Sequence, residues 1–240
     1  MAKANIAKSH QKSKDSKGGD SGLFANLLEF SPLTENQAIA RNEYEDGKNL
    51  LIMGYAGTGK TYIACSLALQ DLANHFVHKI HIYRSSVPTR EIGYLPGTEA
   101  QKMEVYEKPY IKMINDIMGR GDAYQILKTK DKLIFESTSF LRGISLDNTI
   151  VIVDETQNMT AHEINTLITR VGENTKIIFC GDFRQSDLDY RKSGISFLTK
   201  VLHKMSNHFS IIEMEAEDIV RSDLVRDWIL AVESIKEDEN

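Results

Sequence analysis

The sequence predicts an α/β fold in which a mainly parallel sheet is flanked by helices and carries a small inserted subdomain. Near-continuous apolar strands alternate with helical patterns, which is typical of a parallel sheet covered on both faces. A glycine-rich loop joins the first strand to a helix, and a proline-containing segment interrupts the alternation. The chain has 240 residues, 41% hydrophobic and 26% charged, which is enough for one large domain or two small ones.

Apolar, β-branched runs mark the predicted strands. Five such runs lie at 49–53, 79–83, 132–137, 149–154 and 176–182. A weaker sixth run has the sequence FSIIEM. Between them, helical periodicity predicts helices over 61–74, 99–118 and 161–171, and Thr160 is a plausible N-cap of the last one. The stretch SDLVRDWILAVESIKEDEN predicts a final amphipathic helix that leads into acidic residues.

The chain is predicted to form one domain with polar ends. Residues 1–22 carry five Lys and two Asp but few apolar side chains, so we expect a flexible polar tail that cannot offset its ordering entropy. A single domain is expected over 23–235, followed by an acidic tail at 236–240. Within it, residues 85–131 hold three of the four prolines and long polar stretches, which predicts an inserted subdomain or lid.

Charge and composition restrict the classes of function. A net charge of −5 argues against coating of nucleic acid by the whole surface, so any such site must be local. Cys65 and Cys180 lie in apolar runs and are predicted to be buried free thiols. His75, His78 and His81 straddle a helix end and a strand start, so we assign no metal to them. No apolar run approaches the roughly 18 residues of a membrane span, and we expect a cytoplasmic protein without membrane partners.

The stretch GYAGTGKT is the strongest functional signal in the chain. It matches the pattern G-x-x-x-x-G-K-[ST], with a strand before it and a helix after it. Gly57 allows backbone N–H groups to turn inward around phosphate oxygens, Lys60 is predicted to reach the β and γ phosphates, and Thr61 to bind Mg²⁺. The predicted nucleotide-binding residues of this loop are Gly54, Tyr55, Ala56, Gly57, Thr58, Gly59, Lys60 and Thr61.

Two acidic residues end the fourth predicted strand. In TIVIVDE, we assign Asp154 to the coordination shell of Mg²⁺ and Glu155 to orienting or deprotonating a water molecule. An apolar run that ends in Asp-Glu is common by itself, but it follows a phosphate-binding loop here. Together, the two motifs predict hydrolysis of a nucleoside triphosphate.

Two glutamines are candidates for contacts at opposite ends of the nucleotide. Gln185 lies in GDFRQ after the fifth strand, where a polar side chain can sense the γ-phosphate. Gln37 lies on a helix predicted to begin near Thr34. Its amide can donate to and accept from the edge of adenine, which favours ATP as the cofactor.

The combined motifs strongly resemble the PhoH family of P-loop ATPases, which are similar to the first motor domain of superfamily-one helicases. The matching pieces span about residues 30 to 235 and include LTENQ, GYAGTGKTYIA, YLPGTEAQKMEVYEKP, FLRGISLDNTIVIVDETQNMT, TRVGENTKIIFCGDFRQSDL and DIVRSDLVRDWI. The resemblance implies a RecA-like P-loop NTPase fold and supports the roles given to Gln37, Asp154, Glu155 and Gln185.

Three arginines also occupy positions like those of the family. Arg84 and Arg142 lie near predicted strand or loop ends, and we expect them to contact nucleic-acid phosphates. Arg221 is a candidate arginine finger, supplied to the γ-phosphate from the same chain or a neighbouring subunit. An ion pair with Asp218 or Asp223 is the alternative for Arg221. The resemblance further implies a homo-oligomer, with a hexamer expected.

The expected function is an ATPase, dependent on Mg²⁺ and coupled to RNA or single-stranded nucleic acid in a helicase-like manner. One alternative is an ATP-gated interaction switch without motor activity. Another is a small-molecule kinase that uses the inserted segment as an acceptor lid. The kinase is less favoured because Asp154, Glu155 and GDFRQ suit water activation better than acceptor positioning.

Overall fold

A computed structural model describes residues 22–85, 99–138, 145–182 and 193–238. The predictions made for the tail at residues 1–21, for Arg142, for Gln185 and for residues 239–240 lie outside these ranges. Gly22, the last residue of the predicted tail, is described and exposed.

Six parallel strands form one sheet, as the alternating apolar runs predicted. The strands are β1 (Asn49–Gly54), β2 (Lys79–Arg84), β3 (Leu133–Ser137), β4 (Thr149–Asp154), β5 (Lys176–Gly181) and β6 (Phe209–Met214). Their order across the sheet is β3-β2-β4-β5-β1-β6. All described pairings are parallel, so the carboxyl ends of the strands share one edge.

Seven α-helices lie within the described residues. They are α1 (Glu35–Glu45), α2 (Lys60–Ala73), α3 (Glu99–Ile117), α4 (Ala123–Thr129), α5 (Ala161–Ile168), α6 (Ile195–Lys204) and α7 (Asp223–Asp238). Thr160 caps α5 as predicted, because its hydroxyl accepts from the backbone N–H of Glu163. This helix ends three residues before the predicted residue 171, since Val171 forms a β-bridge with Leu146 instead. The final helix continues to Asp238, into the predicted acidic tail.

Alternate residues of the strands build a separate hydrophobic cluster on each face of the sheet. Ile52 and Ile150 join α1, α2, α3 and α4 in one cluster. Leu51 and Val151, their neighbours along the chain, join α5 and α6 in the other. Burial on both faces explains why the strands have nearly continuous apolar sequences. Cys65 and Cys180 are buried free thiols, as predicted.

The predicted insertion contributes to the main core. Both α3 and α4 lie within residues 85–131, and their apolar side chains, including Ile114 and Leu127, pack in the same cluster as α2. Glu107 of α3 accepts hydrogen bonds from Tyr124, at 2.5 Å, and from Lys128, at 2.6 Å. The described part of this segment is therefore packed on the sheet. Among the described helices, none combines the length and apolar composition needed to cross a membrane.

Candidate nucleotide-binding site

The glycine-rich loop joins the end of β1 to the start of α2. A Cβ at Gly54 would lie 2.0 Å from the carbonyl oxygen of Met214 on the neighbouring strand, so only glycine fits there. Gly57 has a φ of 80°, in the region that glycine adopts without steric cost. Since α2 begins at Lys60, the loop brings free N–H groups of a helix N-terminus to the carboxyl edge of the sheet.

Lys60 folds back over its own loop. Its Nζ donates to the carbonyl oxygens of Gly54, at 2.8 Å, and Tyr55, at 2.6 Å. Burial lowers the pKa of Lys60, and the negative charge of Asp182 opposes this shift. The ammonium group thus lies in a partly buried loop and contacts carbonyl oxygens, which phosphate oxygens can replace.

Thr61 and Asp154 meet across a separation of 93 residues in the chain. The Thr61 hydroxyl lies 3.2 Å from Oδ1 and 3.1 Å from Oδ2 of Asp154. A hydroxyl and a carboxylate beside a phosphate-binding loop are the hard oxygen donors that Mg²⁺ takes together with substrate phosphates. The described residues contain no group of three or more His, Cys, Asp or Glu that could hold a metal by itself. The donor chemistry of Thr61 and Asp154 fits Mg²⁺, and its binding here stays a prediction.

Glu155 follows directly, in a left-handed backbone conformation with a φ of 53°. Residues of this kind concentrate at functional sites, where the surrounding structure must maintain them. Its Oε2 accepts from Nε2 of Gln157 at 2.6 Å, and Oε1 lies 3.6 Å from Nη2 of Arg84. Burial, and next the charge of Asp154, raise the pKa of Glu155, while Arg84 opposes the rise. The Glu155 carboxylate is thus held beside Asp154, the residue predicted to bind Mg²⁺.

Strand β5 lies between β1, which leads into the glycine-rich loop, and β4, which ends at Asp154. Met53 of β1 is in register with Gly181, and Val153 of β4 with Phe179. The chain that leaves β5 therefore starts between the loop and the acidic pair. Asp182, the first residue after β5, donates its backbone N–H to Oε1 of Gln157 at 3.1 Å. This order suits the role predicted for Gln185, which lies outside the described residues.

Gln37 contacts the loop from the side of α1. Its Nε2 donates to the carbonyl oxygen of Thr58 at 3.1 Å, and its Oε1 accepts from the N–H of Leu33 at 2.9 Å. The side chain is 3% exposed. Both ends of the amide are therefore engaged within the chain, and contact with adenine stays a prediction.

Arg221 lies over the loop of its own chain. Its Cγ is 2.9 Å from the position of a Cβ built on Gly57, and the neighbouring N–H of Val220 donates to the carbonyl oxygen of Gly57 at 3.1 Å. The preceding turn is fixed by Asp218, whose Oδ2 accepts from Nδ2 of Asn36 at 2.7 Å. The structure thus places Arg221 near the phosphate-binding loop in the same chain, while its role stays a prediction.

Arg84 and Tyr110 also belong to this site, although the sequence assigned Arg84 to nucleic acid and did not single out Tyr110. Arg84 is in register with Asp154 on adjacent strands. Its guanidinium lies 4.9 Å from the ring centroid of Tyr106, and its side chain is 23% exposed. Tyr110 donates a hydrogen bond to Oδ2 of Asp154. Burial, and then Asp154, raise the pKa of Tyr110 well above its ordinary value. The contact of Arg84 with nucleic acid stays a prediction.

Comparison with known proteins gives the family. Residues 29–233 match the family described as PhoH-like protein. The chain belongs to this family. Among curated relatives, a PhoH-like protein of Bacillus subtilis (strain 168) is 35% identical over 190 residues, covering 78% of this chain and 57% of that protein. Protein PhoH of Escherichia coli (strain K12) is 31% identical over 215 residues, covering 85% of this chain and 59% of the relative.

A solved structure supports the fold. The large terminase from a thermophilic bacteriophage aligns with a TM-score of 0.51 at 13% identity, covering 81% of this chain and 49% of that chain. The six-stranded parallel sheet and the loop confirm the predicted P-loop NTPase fold. This PhoH-like chain spans somewhat more than half of the length of the two curated relatives.

Proposed function

We propose that this PhoH-like chain binds ATP with Mg²⁺ and hydrolyses it to ADP and phosphate. The observation that carries the proposal is the contact between Thr61 of the loop and Asp154, with Glu155 adjacent. These residues are the hydroxyl, carboxylate and base that hydrolysis by a P-loop enzyme requires.

The chain's own residues divide the work of hydrolysis. Lys60 and the N–H groups of the loop hold the phosphates and offset their charge. Thr61 and Asp154 would hold Mg²⁺, which supplies further positive charge at the phosphates when it is bound. Glu155 would accept a proton from water while the water oxygen forms a bond to the γ-phosphorus. The bond between the γ-phosphorus and the β,γ-bridging oxygen breaks, and ADP leaves with that oxygen. The proposed γ-phosphate contacts are Gln185 and Arg221.

Two substitutions test the chemistry separately. We expect Lys60→Ala to weaken both nucleotide binding and turnover, because the phosphates lose their cation. We expect Glu155→Gln to keep binding but to lose turnover by about 100-fold or more, because a general base contributes about 10² to 10⁴. Nucleotide affinity reports on binding and the rate of phosphate release reports on turnover, and both are measured on each variant. Wild-type turnover in either variant would remove that residue from its assigned role.

We further propose that turnover is coupled to RNA or single-stranded nucleic acid in the cytoplasm. The support is the family resemblance to helicase motor domains and the two arginines, Arg84 and Arg142. ATP turnover with and without RNA or single-stranded DNA tests this coupling. Stimulation, with an affinity that falls as salt rises, supports it. Binding without a change in turnover would favour an ATP-gated switch.

A homo-oligomer, with a hexamer expected, completes the proposal. It is supported by the family resemblance and by α7, on which Leu224, Trp228 and Ile235 are 77%, 70% and 58% exposed. Their spacing of four and seven residues places them along one face of the helix. An apolar face of this kind suits a contact with a second copy of the chain.

A further inference from the structure

Helix α3 brings a buried hydroxyl to the acidic edge of the sheet. Tyr110 is 2% exposed, and its ring packs on Phe135 with centroids 4.9 Å apart and planes at 52°. Its hydroxyl donates to Oδ2 of Asp154, which lies 44 residues further along the chain. The ring is thus held by packing, and the hydroxyl has a fixed direction.

This hydrogen bond is one of several that the described residues make to the Asp154 carboxylate. Oδ1 accepts from the backbone N–H of Glu155 at 3.0 Å, and Thr61 contacts both oxygens. Asp154 is 7% exposed, so its orientation is set by these protein groups more than by water. Without the hydroxyl of Tyr110, Oδ2 would depend on Thr61 within the described part of the chain, and Thr61 is the residue that Mg²⁺ would also engage.

The same helix also reaches the second acidic residue. Tyr106, one turn before Tyr110, lies under the guanidinium of Arg84 at 4.9 Å from its ring centroid. Arg84 in turn approaches Oε1 of Glu155 at 3.6 Å. One face of α3 therefore holds both acidic residues, directly at Asp154 and through Arg84 at Glu155.

We propose that Tyr110 is a positioning residue of the nucleotide site, whose hydroxyl orients Asp154 for Mg²⁺. The proposal rests on the proposed ATPase function. Groups that hydrogen-bond to metal ligands fix the ligand orientation, and their loss costs about 10- to 100-fold in metal affinity or activity. Tyr110 supplies this support from outside the loop and acidic-strand motifs.

Tyr110→Phe tests this role because it keeps the ring and removes only the hydroxyl. The measurement is the affinity for a fluorescent ATP analogue as a function of Mg²⁺ concentration. We expect the Mg²⁺ concentration for half-maximal binding to rise about 10-fold, while nucleotide affinity in EDTA stays unchanged. Tyr110→Met, which also fills an apolar site without a donor, should give the same result if the Phe variant is unstable.

Tyr124→Phe is the matched control. Tyr124 is also 2% exposed, and its hydroxyl also donates to a carboxylate, that of Glu107, at 2.5 Å. The control should keep the Mg²⁺ requirement of the wild type even if both variants lose thermal stability. An unchanged Mg²⁺ requirement in Tyr110→Phe, or an equal change in both variants, would overturn the positioning role. If the wild type itself binds the analogue without any dependence on Mg²⁺, the proposed function fails first.

Discussion

Hydrogen bonds and ion pairs of single residues decide how the acidic pair is presented. Asp154 is held by Thr61 and Tyr110, whereas Glu155 lies between Gln157 and Arg84. The backbone at Glu155 is left-handed, with a φ of 53°. These contacts restrain both carboxylates, which suits the roles proposed for them.

Arg84 allows a residue-scale prediction that separates two roles. If Arg84 holds Glu155, Arg84→Gln should lower ATP turnover without nucleic acid by about 10-fold or more, because a misplaced base loses much of its effect. The affinity for the Mg²⁺–ATP complex should change little. If Arg84 serves only to contact nucleic acid, turnover without nucleic acid is unchanged and stimulation alone is lost.

Arg120→Gln is the control for that measurement. Arg120 is exposed and pairs with nearby Asp122, at 2.5 Å, outside the site. Its substitution should leave turnover with and without nucleic acid as in the wild type.

The role of Gln37 shows the limit of reasoning from single residues. The sequence predicts that this amide contacts adenine, which stays a prediction, and the structure shows the amide bonded to backbone groups of Leu33 and Thr58. The helix and its cap at Thr34 were predictable from local signals. The partners of the side chain were not, because they depend on how the helix packs against the loop.

At the scale of elements, β2 connects the site to the edge of the sheet. Arg84 lies at its carboxyl end, while His81 lies within the strand between β3 and β4. The His81 ring stacks on Tyr83 with centroids 5.8 Å apart, and its Nδ1 lies 3.2 Å from the Tyr83 hydroxyl. Burial, followed by the charge of Lys79, lowers the pKa of His81 to about 4.

His81 therefore predicts a pH dependence of stability. An unfolded histidine has a pKa of about 6.5, whereas His81 in the folded chain has a pKa of about 4. Between these two pH values the unfolded chain binds a proton at His81 and the folded chain does not. Stability from this group is present above pH 6.5 and is lost as the pH falls toward 4. Since the residue is partly exposed, we expect a loss of about 1 kcal/mol.

Thermal unfolding at pH 7.5 and pH 5 checks this expectation. The fall in Tm between the two conditions should be smaller in His81→Gln than in the wild type. His78→Gln, at an exposed position close by, should keep the wild-type difference. Equal differences in all three proteins would show that His81 does not contribute.

Helix α3 is the element whose role the sequence left open. Its apolar periodicity predicted a helix, and the predicted bounds agree with the structure to within a residue. The segment that contains it was expected to be an inserted subdomain or lid. The described helix packs on α2 and the sheet and reaches Asp154, since the topology places β2 and β4 side by side under it.

At the scale of the whole molecule, the C-terminal segment combines two features. Arg221 lies on the phosphate-binding loop, and α7 begins two residues later with an exposed apolar face. A contact between copies through α7 would therefore also act on the segment that carries Arg221. Assembly and turnover should be linked.

Trp228 reports on such a contact because it is the single tryptophan of the chain and is 70% exposed. We expect a native mass above that of one chain, and tryptophan emission that shifts to shorter wavelength as concentration rises. Trp228→Ser should lower the mass. Leu28→Ser, another exposed apolar position, is the control and should leave it unchanged. A wild type that stays monomeric at all concentrations would contradict the prediction.

Mixing subunits shows where Arg221 acts. Arg221→Ala and Glu155→Gln are each expected to be inactive alone. Recovery of turnover in mixed oligomers would indicate an arginine supplied to a neighbouring subunit. The absence of recovery would favour action within one chain, which agrees with the position of Arg221 against Gly57.

The sequence by itself determined the α/β class, the phosphate-binding loop and the identity of the acidic pair. Local sequence patterns predict these features: apolar periodicity, glycine spacing and a strand that ends in Asp-Glu. Only the tertiary structure decided that Tyr110 holds Asp154, that Arg84 lies beside Glu155, and that Arg221 covers its own loop. Those contacts join residues far apart in the chain, and their geometry follows from strand order and helix packing, which local patterns do not specify.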